Sequence, residues 1–218
     1  MAHTVIAFLI AALLGGAALS GFEPTLSLRL IDEAVALGQN RTEAVHIRFH
    51  QPYRLQTPGT PVDHIDVVTP FRRIVMLAEE RLQLGMRGFT QREAIAGLGD
   101  QASVIELRVE MTFHPLNVYV GVPAYDVELV AATAPAVRLM PRDLTRIPRF
   151  GLSTGTASLP SPPGGALNQP GVSQPLSGGT IAAGFPIASL NGAGIYDVVV
   201  SEKGKELARA RVNFAGLR

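Results

Sequence analysis

Ile105-Glu106-Leu107-Arg108-Val109-Glu110-Met111-Thr112-Phe113-His114 is the stretch that decides the fold. Its apolar residues, Ile105, Leu107, Val109, Met111 and Phe113, occupy every second position, and charged or polar residues fill the positions between. Successive side chains of a strand point to opposite faces, so this period of two means a strand with one face on a core and the other in water. The same alternation predicts strands at Leu26-Leu28-Leu30, Val45-Ile47-Phe49, Tyr125-Val127-Leu129 and Tyr196-Val198-Val200. A last run, Ala208-Ala210-Val212-Phe214, is expected to pair with Tyr196 to Ser201 across the polar turn Glu202-Lys203-Gly204-Lys205, closing the chain with a β-hairpin. One-sided antiparallel strands need a second layer over their apolar faces, which is the logic of sheet packed on sheet.

Working outward, Gly194-Ile195-Tyr196-Asp197-Val198-Val199-Val200 looks like the Gly-x-Tyr-x-Val pattern with which a tyrosine corner opens a late strand of immunoglobulin-like sandwiches. The resemblance covers the last hairpin alone and implies an Ig-like sandwich. The chain has no cysteine and no tryptophan, so the Cys-Trp-Cys core of an antibody domain is absent, as are disulfides, Cys-ligated zinc and thiol catalysis. Between the early strands and Ile105 stand helix signals. Thr69-Pro70 is an N-cap with proline at the first helical position, Phe71, Ile74, Val75, Ala78 and Leu82 recur at helical spacing, and Gly85 is a stop. Thr90 to Glu93 has capping-box spacing, and the helix it opens runs to Gly99. The expected fold is mainly β (α+β), an Ig-like antiparallel β-sandwich with an inserted helical hairpin over about residues 69–99, its side with Arg72, Arg73, Glu79, Glu80, Arg81 and Arg92 facing solvent.

The first twenty residues carry no Asp, Glu, Lys or Arg and contain the apolar run Val5 to Leu19, with Ala18-Leu19-Ser20 fitting a small-x-small cleavage site. Residues 1–20 therefore read as a signal peptide, with an uncleaved N-terminal anchor as the alternative, and residues 21–218 as one sandwich domain. The protein is expected to be exported, periplasmic or secreted. Formal net charge is +1, which argues against a polyanion-binding field and against nucleic acid as a partner.

Residues 152–179 are rich in Gly, Pro and Ser without one charge, and read as a flexible loop. Gly151-Leu152-Ser153-Thr154-Gly155 matches the G-x-S-x-G string. That motif needs a strand, a sharp turn and a helix, whereas Pro148 precedes it, three prolines follow within eight residues of Gly155, and no histidine comes after His114. His46 and His50 lie on one face of the expected strand, four residues apart; at about 3.3 Å per residue they stand too far apart to chelate one ion, and only a helix would bring them together. No metal or cofactor is expected. Glu106, Glu110, Asp126 and Glu128 read as the wet face of strands rather than as acid–base pairs. Arg142, Arg146 and Arg149, in the densest basic segment, are the candidate binding residues. The sum is a non-enzymatic exported module that binds a protein or envelope component, touching membrane only through its N-terminal segment; the alternative is a hydrolase of envelope polymers or esters.

Overall fold

The computed structural model describes residues 25–86, 88–151 and 176–218. The signal-peptide reading, Ser153 and most of the Gly/Pro/Ser-rich stretch lie outside the described residues. Two antiparallel sheets hold the described chain together. The larger has five strands in the order β1 (Arg54–Gln56), β2 (Val62–Val68), β3 (Val104–Thr112), β7 (Leu176–Pro186) and β6 (Asp143–Phe150). The smaller has four, in the order β5 (Arg138–Leu139), β4 (Tyr125–Ala131), β8 (Ile195–Glu202) and β9 (Lys205–Asn213).

The alternation of β3 is realised as read: Leu107, Val109 and Met111 are fully buried, and they meet Ile65 and Val67 of β2, Ile181 and Ala183 of β7, and Val127, Leu129, Val198, Val200 and Val212 of the opposing sheet in one core. Each such Val, Leu or Ile contributes roughly 1.5–3 kcal/mol by leaving water. The closing hairpin forms through a two-residue turn, Lys203-Gly204, with both residues at positive φ (49° and 81°), as a primed turn requires. β6 carries Pro148 and takes the sheet edge, where a missing N–H breaks no ladder. Residues 176–179, read as the end of the flexible loop, instead open β7, whose small residues pair along all of β3. The Tyr196 hydroxyl accepts a hydrogen bond from the Asn191 backbone N–H at 2.9 Å.

Two expected strands are helices. Around Leu26-Leu28-Leu30 the chain forms α1 (Leu28–Gly38), because Ser27 caps the Leu30 N–H at 3.3 Å and Ile31, Ala34, Val35 and Gly38 recur at helical spacing on its buried side. That longer period outweighs a three-residue alternation. Val45-Ile47-Phe49 lies in α2 (Glu43–His50), which has Glu43 in its first turn and Arg48 and His50 in its last, charges that suit the helix dipole. The expected helices follow as α3 (Pro70–Gln83), capped by Thr69, and α4 (Gln91–Leu98), with the complete Thr90/Glu93 capping box. They do not form an isolated hairpin. α1, α3 and α4 build a second core from Ile31, Val35, Phe71, Ile74, Val75 and Ala94, and Phe49 packs against both this core and that of the sandwich.

Candidate functional site

Charge is concentrated where the helices meet the larger sheet. Arg72, read as solvated, is only 5% exposed. It donates from Nη1 to the Val67 carbonyl at 2.7 Å, from Nη2 to Asp66 at 3.3 Å and from Nε to His50 Nδ1 at 3.2 Å, and its guanidinium lies 5.1 Å from the Tyr53 ring centroid. Glu79, also read as solvated, turns inward about two helical turns further on. His50 Nε2 meets its two oxygens at 2.9 and 3.0 Å, and His46 Nδ1 meets Oε1 at 2.5 Å. α2 thus brings His46 and His50 onto one carboxylate, which the strand reading forbade. A cleft of about 550 Å³ opens beside them, lined also by Arg54, Asp66 and Met76.

The hydrogen bonds say what this grouping does. With its Nδ1 accepting from Arg72, His50 carries its proton on Nε2 and donates to Glu79. His46 faces a second acceptor through Nε2, the Asn40 carbonyl at 2.6 Å. Neither ring turns a free nitrogen to the cleft, and among the described residues no three His, Asp or Glu side chains are placed to hold a metal ion. Burial pushes Glu79 upward, but His50 and His46 outweigh it and hold the carboxyl below its usual range. Asp66 likewise is raised by burial and lowered further by Arg54 and Arg72. The network is a latch that fastens α2 and α3 to the sheet.

The second candidate lies at the end of the sandwich where β3 stops. Residues 113–124 cross from one sheet to the other and contain no Asp, Glu, Lys or Arg. They expose Leu116 by 84%, Val118 by 92% and Val120 by 97%. The backbone of this segment is hydrogen-bonded at Leu116, Asn117 and Tyr119. Leu116 N–H donates to His114 Nδ1, Tyr119 N–H to Asn117 Oδ1, and the Asn117 amide to both the His114 and Leu176 carbonyls, all within 2.7–3.1 Å. Tyr119 packs edge-on against Phe113, centroids 5.2 Å apart. Val122 rests where a side chain at residue 179 would stand, 2.4 Å from the Cβ that Gly179 lacks. A groove of about 480 Å³ runs alongside, walled by Phe113, Tyr119 and Tyr125. Burial, then the neighbouring Tyr119, raises the Tyr125 hydroxyl's pKa.

The three candidate arginines are strung along the β6 segment rather than gathered. Arg142, just before the strand, pairs with Asp143 at 3.0 Å. Arg146 donates to the carbonyls of Pro123 and Tyr125 at 3.2 and 2.9 Å, pinning the end of the exposed loop. Arg149 reaches the Met111 carbonyl at 2.8 Å and Glu110 at 3.4 Å. Seven residues of strand span about 23 Å, so Arg142 and Arg149 serve opposite ends of the sheet. Sequence reasoning missed the loop itself, although three aliphatics on alternate positions inside an uncharged stretch between two prolines were its visible signal. Compared with protein-family models, curated proteins and solved structures, the chain matches none.

Proposed function

We propose that the protein is an exported, non-enzymatic binding or adaptor module of the cell envelope, and that it docks through the end of the sandwich formed by residues 113–124. The observation that carries this reading is the combination of exposure and backbone anchoring. A loop hydrogen-bonded at Leu116, Asn117 and Tyr119 that holds Leu116, Val118 and Val120 in water offers an apolar surface for burial against something else. Export is supported by the apolar run Val5 to Leu19 and its small-x-small end. We further assign the sandwich to the looser immunoglobulin-like class, supported by the Tyr196 hydroxyl bonding back to the backbone at Asn191, as a tyrosine corner does.

The test is capture from the envelope fraction of the host by the full chain and by the triple variant Leu116→Ser/Val118→Ser/Val120→Ser. All three residues are exposed, so the variant is expected to keep its melting temperature, surface changes staying within about 0.5 kcal/mol. Loss of captured material is the expected result. Undiminished capture by the folded variant would refute the docking assignment.

A further inference from the structure

The exposed loop does not stand alone at its end of the molecule, and what surrounds it points to the chemistry of its partner. β4 begins at Tyr125, directly after the loop, and Tyr125 pairs with Glu202 at the end of β8. The turn that follows therefore sits beside the loop and carries Lys203 and Lys205, both exposed and the only lysines in the chain. On the other flank, at the end of β6, are Arg149 with half of its side chain in water, Ile147 and Phe150, the last two 53% and 50% exposed. Of the acids of this end, Glu110 is held by Arg149 and Thr180, Asp63 by Thr112 and Glu206 by Arg209, whereas Glu202, next to Lys203, and Asp126 have no ion pair among the described residues.

We infer that this end of the sandwich docks on a lipid bilayer bearing anionic headgroups, with Leu116, Val118 and Val120 entering the interface and Lys203, Lys205 and Arg149 meeting phosphate. The inference rests on the docking reading above and names its partner. Three of the loop's backbone N–H groups, at Leu116, Asn117 and Tyr119, are already satisfied within the chain, which lowers the cost of carrying the tip out of water. An uncharged segment has no ion to desolvate, Tyr119 is 41% exposed, and Lys203, Lys205 and Arg149 belong to the same end of the sheets.

The chain has no tryptophan, so Val118→Trp in the full-length protein is a lone fluorophore at the tip, and Met140→Trp, at the exposed position before β6 and the far end of the sheets, is its control. Both retain residues 1–20, so membrane contact through that segment is common to the two. With vesicles of phosphatidylcholine and phosphatidylglycerol, Val118→Trp is expected to shift to the blue and to be quenched by brominated acyl chains, while Met140→Trp is unmoved. Lys203→Ser/Lys205→Ser is expected to weaken tip insertion about tenfold, each cation near an anionic surface being worth a several-fold change. No shift at the tip in protein that sediments with vesicles, or equal shifts at both positions, overturns the inference. So does emission from Val118→Trp that is already blue before vesicles are added. If the triple serine variant still captures envelope protein and vesicles as the unmodified chain does, the docking reading itself fails; capture of protein lost without any lipid effect leaves that reading standing and refutes only the lipid.

Discussion

Arg72 shows how much a single side chain can join. It reaches a β2 carbonyl, the Asp66 carboxylate, the His50 ring and the Tyr53 face, and it does so from a buried position. Burial lowers its pKa, against the pull of Asp66. Arg72→Leu takes one partner each from Asp66, which keeps Arg54, and from His50, which keeps Glu79, and a loss of about 3 kcal/mol is expected in chemical denaturation. Arg72→Lys, which keeps the charge but not the planar fork, is expected to recover only part of it. Glu79, Asp66 and Glu106 share a second property: burial raises each, yet the histidines beside Glu79 and the arginines beside Asp66 and Glu106 hold all three low. A carboxylate depressed on folding contributes stability in full above its unfolded pKa, about 4, and loses it as pH falls through the folded value. The melting temperature is therefore expected to drop as the pH is lowered through about 4, and Glu79→Gln is expected to flatten that drop while lowering stability at neutral pH.

At the scale of elements, α2 is the weakest piece. It has no buried residue, its Thr42 cap makes no side-chain bond, and it is fastened by His46, His50 and the partly buried Phe49. Its amides are expected to exchange ahead of those of α1 and α3, and faster still in Glu79→Gln, which hydrogen exchange read by mass spectrometry resolves directly. α1 and α3 are the opposite case. A Cβ on Gly38 would stand 2.4 Å from the Val75 carbonyl and 2.6 Å from the Ala78 methyl, so the two helices touch backbone to backbone there. Gly38→Ala must push them apart and is expected to cost about 1–3 kcal/mol, despite alanine's better helix propensity. Gly179→Val would displace Val122 and with it the footing of the exposed loop.

Over the whole molecule, what was legible in the sequence is what long periodicity and local capping determine. β3, the last hairpin, α3 and α4 all declare themselves within ten or fifteen residues: β3 by its unbroken alternation, α4 by Thr90 and Glu93. Three alternating apolar residues at Val45-Ile47-Phe49 do not: a strand would put all three on one face, a helix puts Val45 and Phe49 on one side and Ile47 on the other, and three residues are too few to choose; here Ile47 is 62% exposed. From that one misreading followed the separation of His46 from His50 and the solvated reading of Arg72 and Glu79, since only the packing of α2 on α3 makes those four residues neighbours. The exposed loop was hidden for another reason. Apolar side chains in sequence read as interior, whereas Leu116, Val118 and Val120 stand in water on a segment that Asn117 and Arg146 tie down through tertiary contacts. Arg142, Arg146 and Arg149 accordingly divide: Arg146→Ala and Arg149→Ala are expected to loosen the loop, whereas Arg142→Ala leaves it unchanged, a difference visible in exchange rates over residues 113–124.

The most direct measurement pairs stability with docking for Leu116→Ser/Val118→Ser/Val120→Ser: a thermal melt and a binding assay on the same preparation, against envelope extract and against anionic vesicles. An unchanged melt with binding lost is the expected outcome. A melt that collapses would mean the three side chains belong to the fold rather than to its surface, and an unchanged melt with binding intact would place the docking surface elsewhere on the molecule.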